Sequence, residues 1–281
     1  MTAATIAAPG PAAGGAAPAA RVDRLSYFFP AHDEEANLPA LVEEALATLP
    51  ALAERFEIVV VDDGSRDATP RLADELASRH LEVRAVHHRT NLGYGAALRS
   101  GFAASRYEVL AFTDGDRQFR VSDLGRLLAA LEPTAVGTPA GGTPARDGGP
   151  DVVVGYRMRR ADPLVRTVYA RLYRLANRIF FGLRVRDVDC ACKAFRRSAL
   201  EGISVESGGA FFSAELLIKL QAAGHRIAEV GVPHYPRVAG RPTGARPSVI
   251  LRAVRDFWSL RLRLWASPRK ALRRGTPILG D

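Results

Sequence analysis

Residues 109–119, Val-Leu-Ala-Phe-Thr-Asp-Gly-Asp-Arg-Gln-Phe, decide the fold, because a short apolar run ends there in two carboxylates one residue apart. Such a run predicts a buried strand, and open α/β sheets bind ligands at the carboxyl ends of their strands. Asp114 and Asp116 need compensation if they are buried, since an uncompensated ion in a protein interior is costly. A divalent cation, Mg²⁺ or Mn²⁺, would supply it and would in turn hold a diphosphate. The alternative interpretation is a solvated Asp-Gly turn without a ligand.

Three more strands are predicted before this one, and a helical pattern follows each of them. The strands are expected at 25–30, 56–61 and 83–86, and the helices at 38–49, from 69 past 76, and from the segment 91–95 to about 105. This alternation predicts an α/β fold with a doubly wound, mainly parallel sheet and helices on both faces. In such a sheet, the polar turns that follow the first, second and fourth strands lie at one edge. These turns are residues 31–35, 62–65 and 114–118.

The second half of the chain departs from the regular alternation. Half of residues 133–150 are Gly or Pro, which predicts a flexible insertion. The elements predicted after it are a strand at 151–155, helices at 163–181 and 213–223, a strand at 226–232 and a helix at 247–265. The helix at 163–181 has an arginine arc and an apolar arc, so it is interpreted either as a core helix or as an interfacial one. The end of the last helix is left open, because 260–264 alternates as a strand does.

The net charge of +9 is confined to one end of the chain. Residues 237–281 carry eleven basic and two acidic side chains, so the rest of the chain is neutral on balance. A basic excess of this kind indicates an anionic partner, either membrane phospholipid or nucleic acid. Nucleic acid is not expected, because no binding module is recognised and the aromatic residues of this segment fall on an apolar helix face. We expect a peripheral anionic membrane surface as the partner.

Composition limits the domain organisation and the class of protein. Three parts are predicted: a disordered tail at 1–22, a catalytic domain at 23–245 and a basic amphipathic segment at 246–281. No run of 18 or more apolar residues is present, and the Ala/Gly/Pro-rich tail lacks the features of a signal peptide. The two cysteines, Cys190 and Cys192, are too few for a zinc site. A cytoplasmic protein, peripheral at the cytoplasmic face of the membrane, is therefore expected.

Missing motifs narrow the chemistry further. No Gly-x-Gly-x-x-Gly follows the first strand, which counts against dinucleotide dehydrogenases, and no P-loop signature is present. Asp63, after the second strand, is suited to accept a hydrogen bond from a base N–H or a ribose hydroxyl. Together with Asp114 and Asp116, this arrangement indicates metal-assisted transfer from a nucleoside-diphosphate group. A nucleotidyltransferase is the alternative enzyme class, but its glycine-rich phosphate loop is missing.

Four blocks of the sequence resemble family 2 glycosyltransferases. They are 30–38 (Pro-Ala-His-Asp-Glu-Glu-Ala-Asn-Leu), 61–69 (Val-Asp-Asp-Gly-Ser-Arg-Asp-Ala-Thr), 91–97 (Asn-Leu-Gly-Tyr-Gly-Ala-Ala) and 114–118 (Asp-Gly-Asp-Arg-Gln). Residues 187–195 and 234–240 are similar to the branch that contains dolichyl-phosphate mannose synthase and bacterial polyprenyl-phosphate glycosyltransferases. The resemblance covers about 25–245 and departs from the family pattern at Asp33 for Asn, at Arg117, and at Ala191 for Gly.

The resemblance implies a GT-A-type fold and a metal-dependent, inverting transfer from a UDP- or GDP-sugar to a polyprenyl phosphate. The nucleotide-sugar residues it implies are Pro30, Glu34, Asp63, Asn91, Gly93 and Asp114. The metal residues it implies are Asp114, Asp116 and Gln118. The acceptor residues it implies are Lys193, His234, Arg237 and Arg241.

The acceptor decides how much acid–base catalysis the reaction needs. A lipid phosphate is already anionic, so it needs positioning and a cation such as Arg237 more than it needs a base. A hydroxyl acceptor would need a general base, for which Asp187 and Glu215 are the candidates. Glu215 has a second interpretation, as an acidic residue that stabilises the first turn of its helix. Two alternative functions remain open: transfer to a soluble hydroxyl acceptor, and a catalytically silent scaffold that docks to membranes.

Overall fold

The computed structural model describes residues 21–132, 149–158, 164–237 and 247–279. The strands in these ranges are β1 (Val22–Ala31), β2 (Ala53–Asp62), β3 (Val83–His87), β4 (Val109–Phe112), β5 (Val152–Arg157), β6 (Lys193–Arg196), β7 (Ser204–Val205), β8 (Ile227–Val232) and β9 (Thr276–Pro277). The helices are α1 (Leu38–Thr48), α2 (Thr69–Arg79), α3 (Tyr94–Ala104), α4 (Leu124–Leu131), α5 (Leu164–Phe181), α6 (Arg197–Leu200), α7 (Phe212–Ala222), α8 (Pro247–Ala266) and α9 (Pro268–Leu272).

Seven strands form one sheet in the order β3-β2-β1-β4-β6-β5-β8. The first four strands of the chain pair in parallel, as do β5 and β8, whereas β6 runs antiparallel to both β4 and β5. The predicted doubly wound, mainly parallel α/β sheet is confirmed. Strand β6 was not predicted, because its four residues are too few to show a period, and neighbouring strands on both sides bury it.

Aromatic rings join the sheet to the helix that covers it. Phe28 of β1 lies 4.9 Å from Phe102 of α3 and 5.3 Å from Phe112 of β4, measured between ring centroids. Phe195 of β6 continues the cluster, with its ring 5.2 Å from that of Phe102. Aromatic pairs at these separations add to the stabilisation from burial. This aromatic cluster includes Phe112 of β4, the strand that precedes the two carboxylates.

The helix predictions agree with the structure to within a few residues. Helix α8 continues to Ala266, so the alternating stretch at 260–264 is helical. The predicted tail lies outside the described residues up to residue 20, and so do residues 133–148 of the predicted insertion. The three-part domain division stays a prediction.

The C-terminal segment packs on the rest of the chain through α8 and β9. Phe257 and Leu260 of α8 are buried, and the Phe257 ring lies 5.9 Å from that of Phe211 at the start of α7. Strand β9 pairs antiparallel with β7. No helix in the part of the chain that the structure describes combines the length and apolar content that a membrane span requires.

Candidate active site at the carboxyl edge of the sheet

The polar turns after β1, β2 and β4 meet at one edge of the sheet. The N–H of Asp63 donates to the carbonyl of Ala31 at 2.9 Å, which joins the second turn to the first. Gly115 allows the third turn to approach, because a Cβ atom at this position would lie 2.7 Å from the Pro30 carbonyl oxygen. The expected shared edge is confirmed, and Pro30 belongs to its backbone.

Asp114 and Asp116 lie side by side at the end of β4, and Asp116 is only 4% exposed. The Tyr94 hydroxyl donates to Asp114 Oδ1 at 2.9 Å, and the Gln118 N–H donates to Asp116 Oδ1 at 3.0 Å. Burial raises the pKa of Asp114 to about 7, and the neighbouring Asp116 carboxylate adds to the shift. Asp116 is buried and Asp114 is half-buried, so the pair does not form a fully solvated turn, and its burial favours a compensating cation.

A cationic side chain does contact this pair. Arg237 Nη2 lies 2.6 Å from Asp116 Oδ2, and Arg237 Nη1 lies 3.6 Å from Glu34 Oε1. Burial raises the pKa of Glu34, while the Asn37 amide and Arg237 oppose that shift. Turns after β1, β4 and β8 thus bring Glu34, Asp116 and Arg237 together, although 203 positions of the chain separate Glu34 from Arg237.

Gln118 holds the segment after β8 in place. Its carbonyl oxygen accepts from the Tyr235 N–H at 2.9 Å, and its side-chain amide donates to the Tyr235 carbonyl at 3.3 Å. The His234 ring lies 5.4 Å from the ring of Phe119. In this conformation Gln118 and His234 fix the position of Arg237, while the predicted roles in metal and acceptor binding stay predictions.

The Arg117 side chain points to a partner other than Asp114 and Asp116. Its backbone is left-handed, with φ of 58°, a conformation that is uncommon for a residue other than glycine. The side chain reaches Glu44 on α1, with 3.7 Å between Nη2 and Oε2. This departure from the family pattern is therefore compatible with a cation at Asp114 and Asp116.

Asp63 organises the loop before α3. Its Oδ1 accepts from the Leu92 N–H and its Oδ2 from the Gly93 N–H, both at 2.9 Å, and His88 Nδ1 lies 2.7 Å from Oδ1. This loop carries Asn91, which is exposed. The carboxylate of Asp63 is 3% exposed with three donors around it, so it shapes the predicted nucleotide pocket from below.

Gly64, in the turn after β2, packs against the loop before α3. Gly64 has φ of +67°, and a Cβ atom there would lie 2.3 Å from the Thr90 carbonyl carbon. Only glycine fits, because the backbone conformation and the close approach both exclude a side chain. The turn after β2 and the loop before α3 therefore pack backbone to backbone.

The candidate base Asp187 is paired with an arginine. Arg157, at the end of β5, donates to Asp187 through Nε at 2.7 Å and through Nη2 at 2.8 Å. Burial lowers the pKa of Arg157, and the Asp187 carboxylate outweighs this effect and raises it. Arg157 was not predicted as a site residue. Its position just beyond the predicted strand at 151–155 is the feature of the sequence that could have indicated it.

Lys193 is buried beneath the site and does not reach its surface. It is 1% exposed, and its Nζ donates to the Cys190 carbonyl oxygen. Burial lowers its pKa, and the carboxylates of Asp187, Asp189 and Asp114 oppose that shift. Lys193 thus supplies positive charge near Asp114, and at this burial it favours a structural role, while its predicted role in acceptor binding stays a prediction. Arg241 lies outside the described residues.

Glu215 holds a turn together. Its two carboxylate oxygens accept from the N–H groups of Glu206 and Ser207, both at 2.9 Å, and Lys219 Nζ lies 2.8 Å from Oε1. The next residue in that turn, Gly208, accepts at its carbonyl from the Gly95 N–H on α3 at 3.1 Å. Both oxygens of the Glu215 carboxylate accept hydrogen bonds, and the residue is 3% exposed, so a structural role is favoured over that of a base.

The residues present fit a divalent cation that is completed by phosphate. No group of three or more metal-ligating side chains converges within 21–132, 149–158, 164–237 and 247–279. Mg²⁺ commonly uses one or two carboxylates and takes its remaining ligands from substrate phosphates and water. Asp114 and Asp116 provide two carboxylates at the end of a strand, which is what such a site requires.

Comparisons with known proteins agree with this geometry. The family model described as glycosyl transferase family 2 matches residues 26–204. The glycosyltransferase AglD of Haloferax volcanii is 32% identical over 258 residues, which cover 89% of this chain and 38% of that protein. The polyprenol monophosphomannose synthase of Mycolicibacterium smegmatis is 31% identical over 229 residues, which cover 77% of this chain and 79% of that one.

Two further matches extend the comparison. The undecaprenyl-phosphate 4-deoxy-4-formamido-L-arabinose transferase of Pseudomonas paraeruginosa is 34% identical over 183 residues, which cover 65% of this chain and 50% of that protein. The chain thus spans half or less of two of the three relatives named here. A solved structure of glucosyl-3-phosphoglycerate synthase from Mycobacterium tuberculosis, with Mn²⁺, UDP and phosphoglyceric acid, superposes with a TM-score of 0.63 at 21% identity. The match covers 84% of this chain and 78% of that one and establishes a shared GT-A-like fold. With the carboxylate pair, the ordered sequence blocks and the family match in agreement, the chain belongs to glycosyl transferase family 2.

Proposed function

We propose that this glycosyltransferase moves a sugar, with inversion, from a UDP- or GDP-sugar to a polyprenyl phosphate or a similar lipid-linked acceptor. The observation that carries the proposal is the convergence of Asp114, Asp116, Glu34 and Arg237 at one edge of the sheet. Carboxylates and a guanidinium at one point suit a metal-bound diphosphate on one side and an anionic acceptor on the other. Relatives named for transfer to polyprenol or undecaprenyl phosphate support this class of acceptor.

Asp114 and Asp116 would hold Mg²⁺ or Mn²⁺. When bound, the cation supplies positive charge to the departing diphosphate. Tyr94 holds Asp114 by its hydrogen bond, and the Gln118 N–H holds Asp116, so both carboxylates are oriented before a ligand arrives. Such orientation matters because charge stabilisation depends on groups that need not rearrange during the reaction.

The state of the two predicted bases favours an acceptor that is already ionised. Asp187 is held in a two-point pair with Arg157, and Glu215 is engaged in the turn at 206–207. A carboxylate paired with arginine is a weak base, because the pairing stabilises its ionised form. A phosphate oxygen needs no base, and Arg157 and Arg237 supply cations at the ends of β5 and β8. A soluble hydroxyl acceptor is the alternative that this arrangement disfavours.

The nucleotide would lie over the turns after β1 and β2. A cleft there is lined by residues 33–37 together with Arg66 and Asp67. Asp63, at the end of the second of these turns, holds the loop that contains Asn91 through the N–H groups of Leu92 and Gly93. The proposed donor carries UDP or GDP. Calorimetry with each diphosphate in the presence of Mn²⁺ measures which of the two binds more tightly.

A lipid-linked acceptor would bring the protein to the cytoplasmic face of the membrane as a peripheral enzyme. The basic excess after residue 236 supports this location, because anionic lipid attracts clusters of lysine and arginine. A silent scaffold would need no oriented carboxylate pair, and the ordered contacts of Asp114 and Asp116 count against it.

A transfer assay tests the proposal. The enzyme is incubated with a panel of UDP- and GDP-sugars and a short-chain isoprenyl phosphate, and the glycolipid product is measured. The matched acceptor is the corresponding isoprenyl alcohol, which lacks the phosphate. We expect product with the phosphate only, and loss of product when EDTA is added. Equal transfer to the alcohol, or transfer that EDTA does not affect, would overturn the acceptor or the metal part of the proposal.

A further inference from the structure

Helices α5 and α8 expose an unusual amount of apolar surface. Thirteen large apolar side chains are exposed in the described ranges, and ten of them lie on these two helices. They include Leu172, Leu175 and Ile179 on α5, and Leu251, Trp258 and Trp265 on α8. Ile179 is 66% exposed and Trp265 is 78% exposed. Contiguous apolar surface of this kind marks an interaction site, since soluble proteins rarely leave it open to water.

Aromatic contacts join the two helices into one surface. The Phe180 ring on α5 lies 5.1 Å from Trp258 and 5.6 Å from Phe257 on α8, measured between centroids. Phe257 is 7% exposed and also contacts Phe181 at 4.9 Å. The inner sides of both helices are therefore anchored, and the exposed sides form a single face, which we call the α5–α8 surface.

Positive charge borders the apolar residues. Helix α5 contains no acidic residue, and Arg171, Arg174 and Arg178 are exposed on it. On α8, Arg252 and Arg255 are exposed. The single acidic residue of α8, Asp256, accepts a hydrogen bond from the Ser207 hydroxyl at 2.9 Å. An apolar stripe with arginines beside it is the pattern of helices that lie in the interface of an anionic bilayer.

Both helices of the α5–α8 surface follow candidate acceptor residues in the chain. Helix α5 starts seven positions after Arg157, and α8 starts ten positions after Arg237. A fully extended chain limits these separations to about 25 Å and about 36 Å. These values are upper limits on the distance from each arginine to the first turn of the helix that follows it.

We propose that the α5–α8 surface docks on an anionic phospholipid bilayer, with its tryptophans and leucines in the headgroup region and its arginines on lipid phosphates. The proposal deepens, and rests on, the function proposed above. The sequence left α5 open between a core and an interfacial helix, and the exposed apolar side chains of α5 favour the interfacial interpretation. A second copy of the chain is disfavoured as the occupant, because stacking two such faces would bring rows of arginines together.

Vesicle sedimentation tests the surface without acceptor or activity. The full chain is mixed with phosphatidylcholine vesicles, with or without added phosphatidylglycerol, and no polyprenyl phosphate is present. We expect the protein to pellet with the anionic vesicles and to be released by salt. The variants Leu175→Asp and Trp258→Asp should each bind at least about tenfold more weakly, because a charge enters the apolar contact. Leu81→Asp is the matched control, since Leu81 is fully exposed outside this surface, and it should bind as the wild type does.

Three results would overturn the docking proposal. They are wild-type protein that stays in the supernatant at low salt, variants that pellet as the wild type does, and a wild-type dimer that Trp258→Asp converts to monomer without changing the pellet. Circular dichroism of each variant confirms folding. Transfer to a short-chain, water-soluble isoprenyl phosphate should be the same in Trp258→Asp and wild type. Vesicle binding without any such transfer would contradict the proposed function and leave the docking surface standing.

Discussion

Asp116 is the residue on which the candidate site depends most. It is held by the Gln118 N–H and by Arg237, so its carboxylate is oriented from two sides. Because Arg237 also lies near Glu34, the guanidinium stands between two carboxylates from different strands. A positive charge at this point stabilises the apo site and marks the place where the diphosphate and its metal would bind.

Replacing Asp116 by Asn should abolish transfer while the fold is retained. The amide keeps the size of the side chain but removes the charge that would hold the cation, and loss of a group that stabilises developing charge costs about 10²–10³ in kcat. Mn²⁺ binding followed by electron paramagnetic resonance should weaken in parallel. Glu201→Gln, an exposed change, is the control. Unchanged Mn²⁺ affinity in Asp116→Asn would refute the assignment.

Tyr94→Phe tests the positioning of the other carboxylate. The hydroxyl contacts Asp114 Oδ1 at 2.9 Å, and its removal leaves Asp114 free to rotate. Loss of an outer partner of a metal ligand lowers metal affinity by about 10–100-fold, so we expect a weaker Mn²⁺ signal with little change in melting temperature. Tyr107→Phe serves as the matched tyrosine variant. If both variants bind Mn²⁺ equally well, Tyr94 does not position Asp114.

Pairs of elements around the site are joined by charged side chains. Strand β2, strand β3 and helix α2 meet at His87, whose Nδ1 lies 3.0 Å from Asp62 Oδ2 and whose Nε2 lies 3.1 Å from Asp74 Oδ1. Helix α7 and the turn at 206–207 meet at Glu215. Both clusters stabilise contacts between elements, and both can be tested by stability measurements.

The His87 cluster should make stability depend on pH. Burial lowers the pKa of His87, but the hydrogen bonds with Asp62 and Asp74 outweigh this effect and raise it. A histidine with a raised pKa in the folded state stabilises the protein below its unfolded pKa, and the contribution is lost as the pH rises through the folded pKa. His87→Gln should therefore lower the melting temperature by about 1–3 °C more at about pH 6 than at about pH 8. A pH-independent effect would contradict the ion pairs.

Glu215→Gln should destabilise the protein and leave the chemistry of the folded fraction unchanged. The substitution leaves the fully buried Lys219 without its carboxylate partner, and breaking a buried ion pair from one side costs about 3–5 kcal/mol. Chemical denaturation measures this loss. The kcat per active site, titrated with a tight-binding nucleotide, should remain near the wild-type value. A large fall in kcat with full stability would instead support Glu215 as the base.

At the scale of the whole molecule, the segment that connects α4 to β5 has its two ends close together. A Cβ atom on Gly149 would lie 2.6 Å from the Leu131 carbonyl oxygen, so the two ends are adjacent. Gly149 and Pro150 also form hydrogen bonds, since their carbonyl oxygens accept from Arg226 and Arg196. The segment between these ends is the Gly/Pro-rich part of the predicted insertion.

Replacing residues 134–147 by a short glycine linker should change the melting temperature by no more than a few degrees. The ends are already adjacent, and shortening a loop lowers the entropy cost of closing it. Removing residues 149 and 150 as well should cost more, since Arg226 and Arg196 would lose acceptors. Thermal unfolding of both deletions provides the comparison. A large loss in the shorter deletion would show that residues 134–147 contribute packing.

The sequence by itself determined that strands β1 to β4 alternate with helices, and at which edge the site lies. Alternating apolar runs and polar turns are local signals, so these strands and the meeting of the turns after β1, β2 and β4 followed from them. The order of the strands in the sheet, strand β6 and helix α4 were not predicted. The carboxylates Asp114 and Asp116 were identified for the same reason, since both follow a recognisable strand.

Only the tertiary structure decided which partners the site residues have. Arg157 pairs with Asp187, Arg237 reaches Asp116, and Glu215 clamps a turn, and each of these contacts joins segments that no local pattern relates. Burial likewise placed Lys193 beneath the site. In the sequence, the apolar arc of α5 fits a core helix and an interfacial helix equally well. Packing distinguishes the two, because a helix has two sides and only the fold determines which one packs against the rest of the chain.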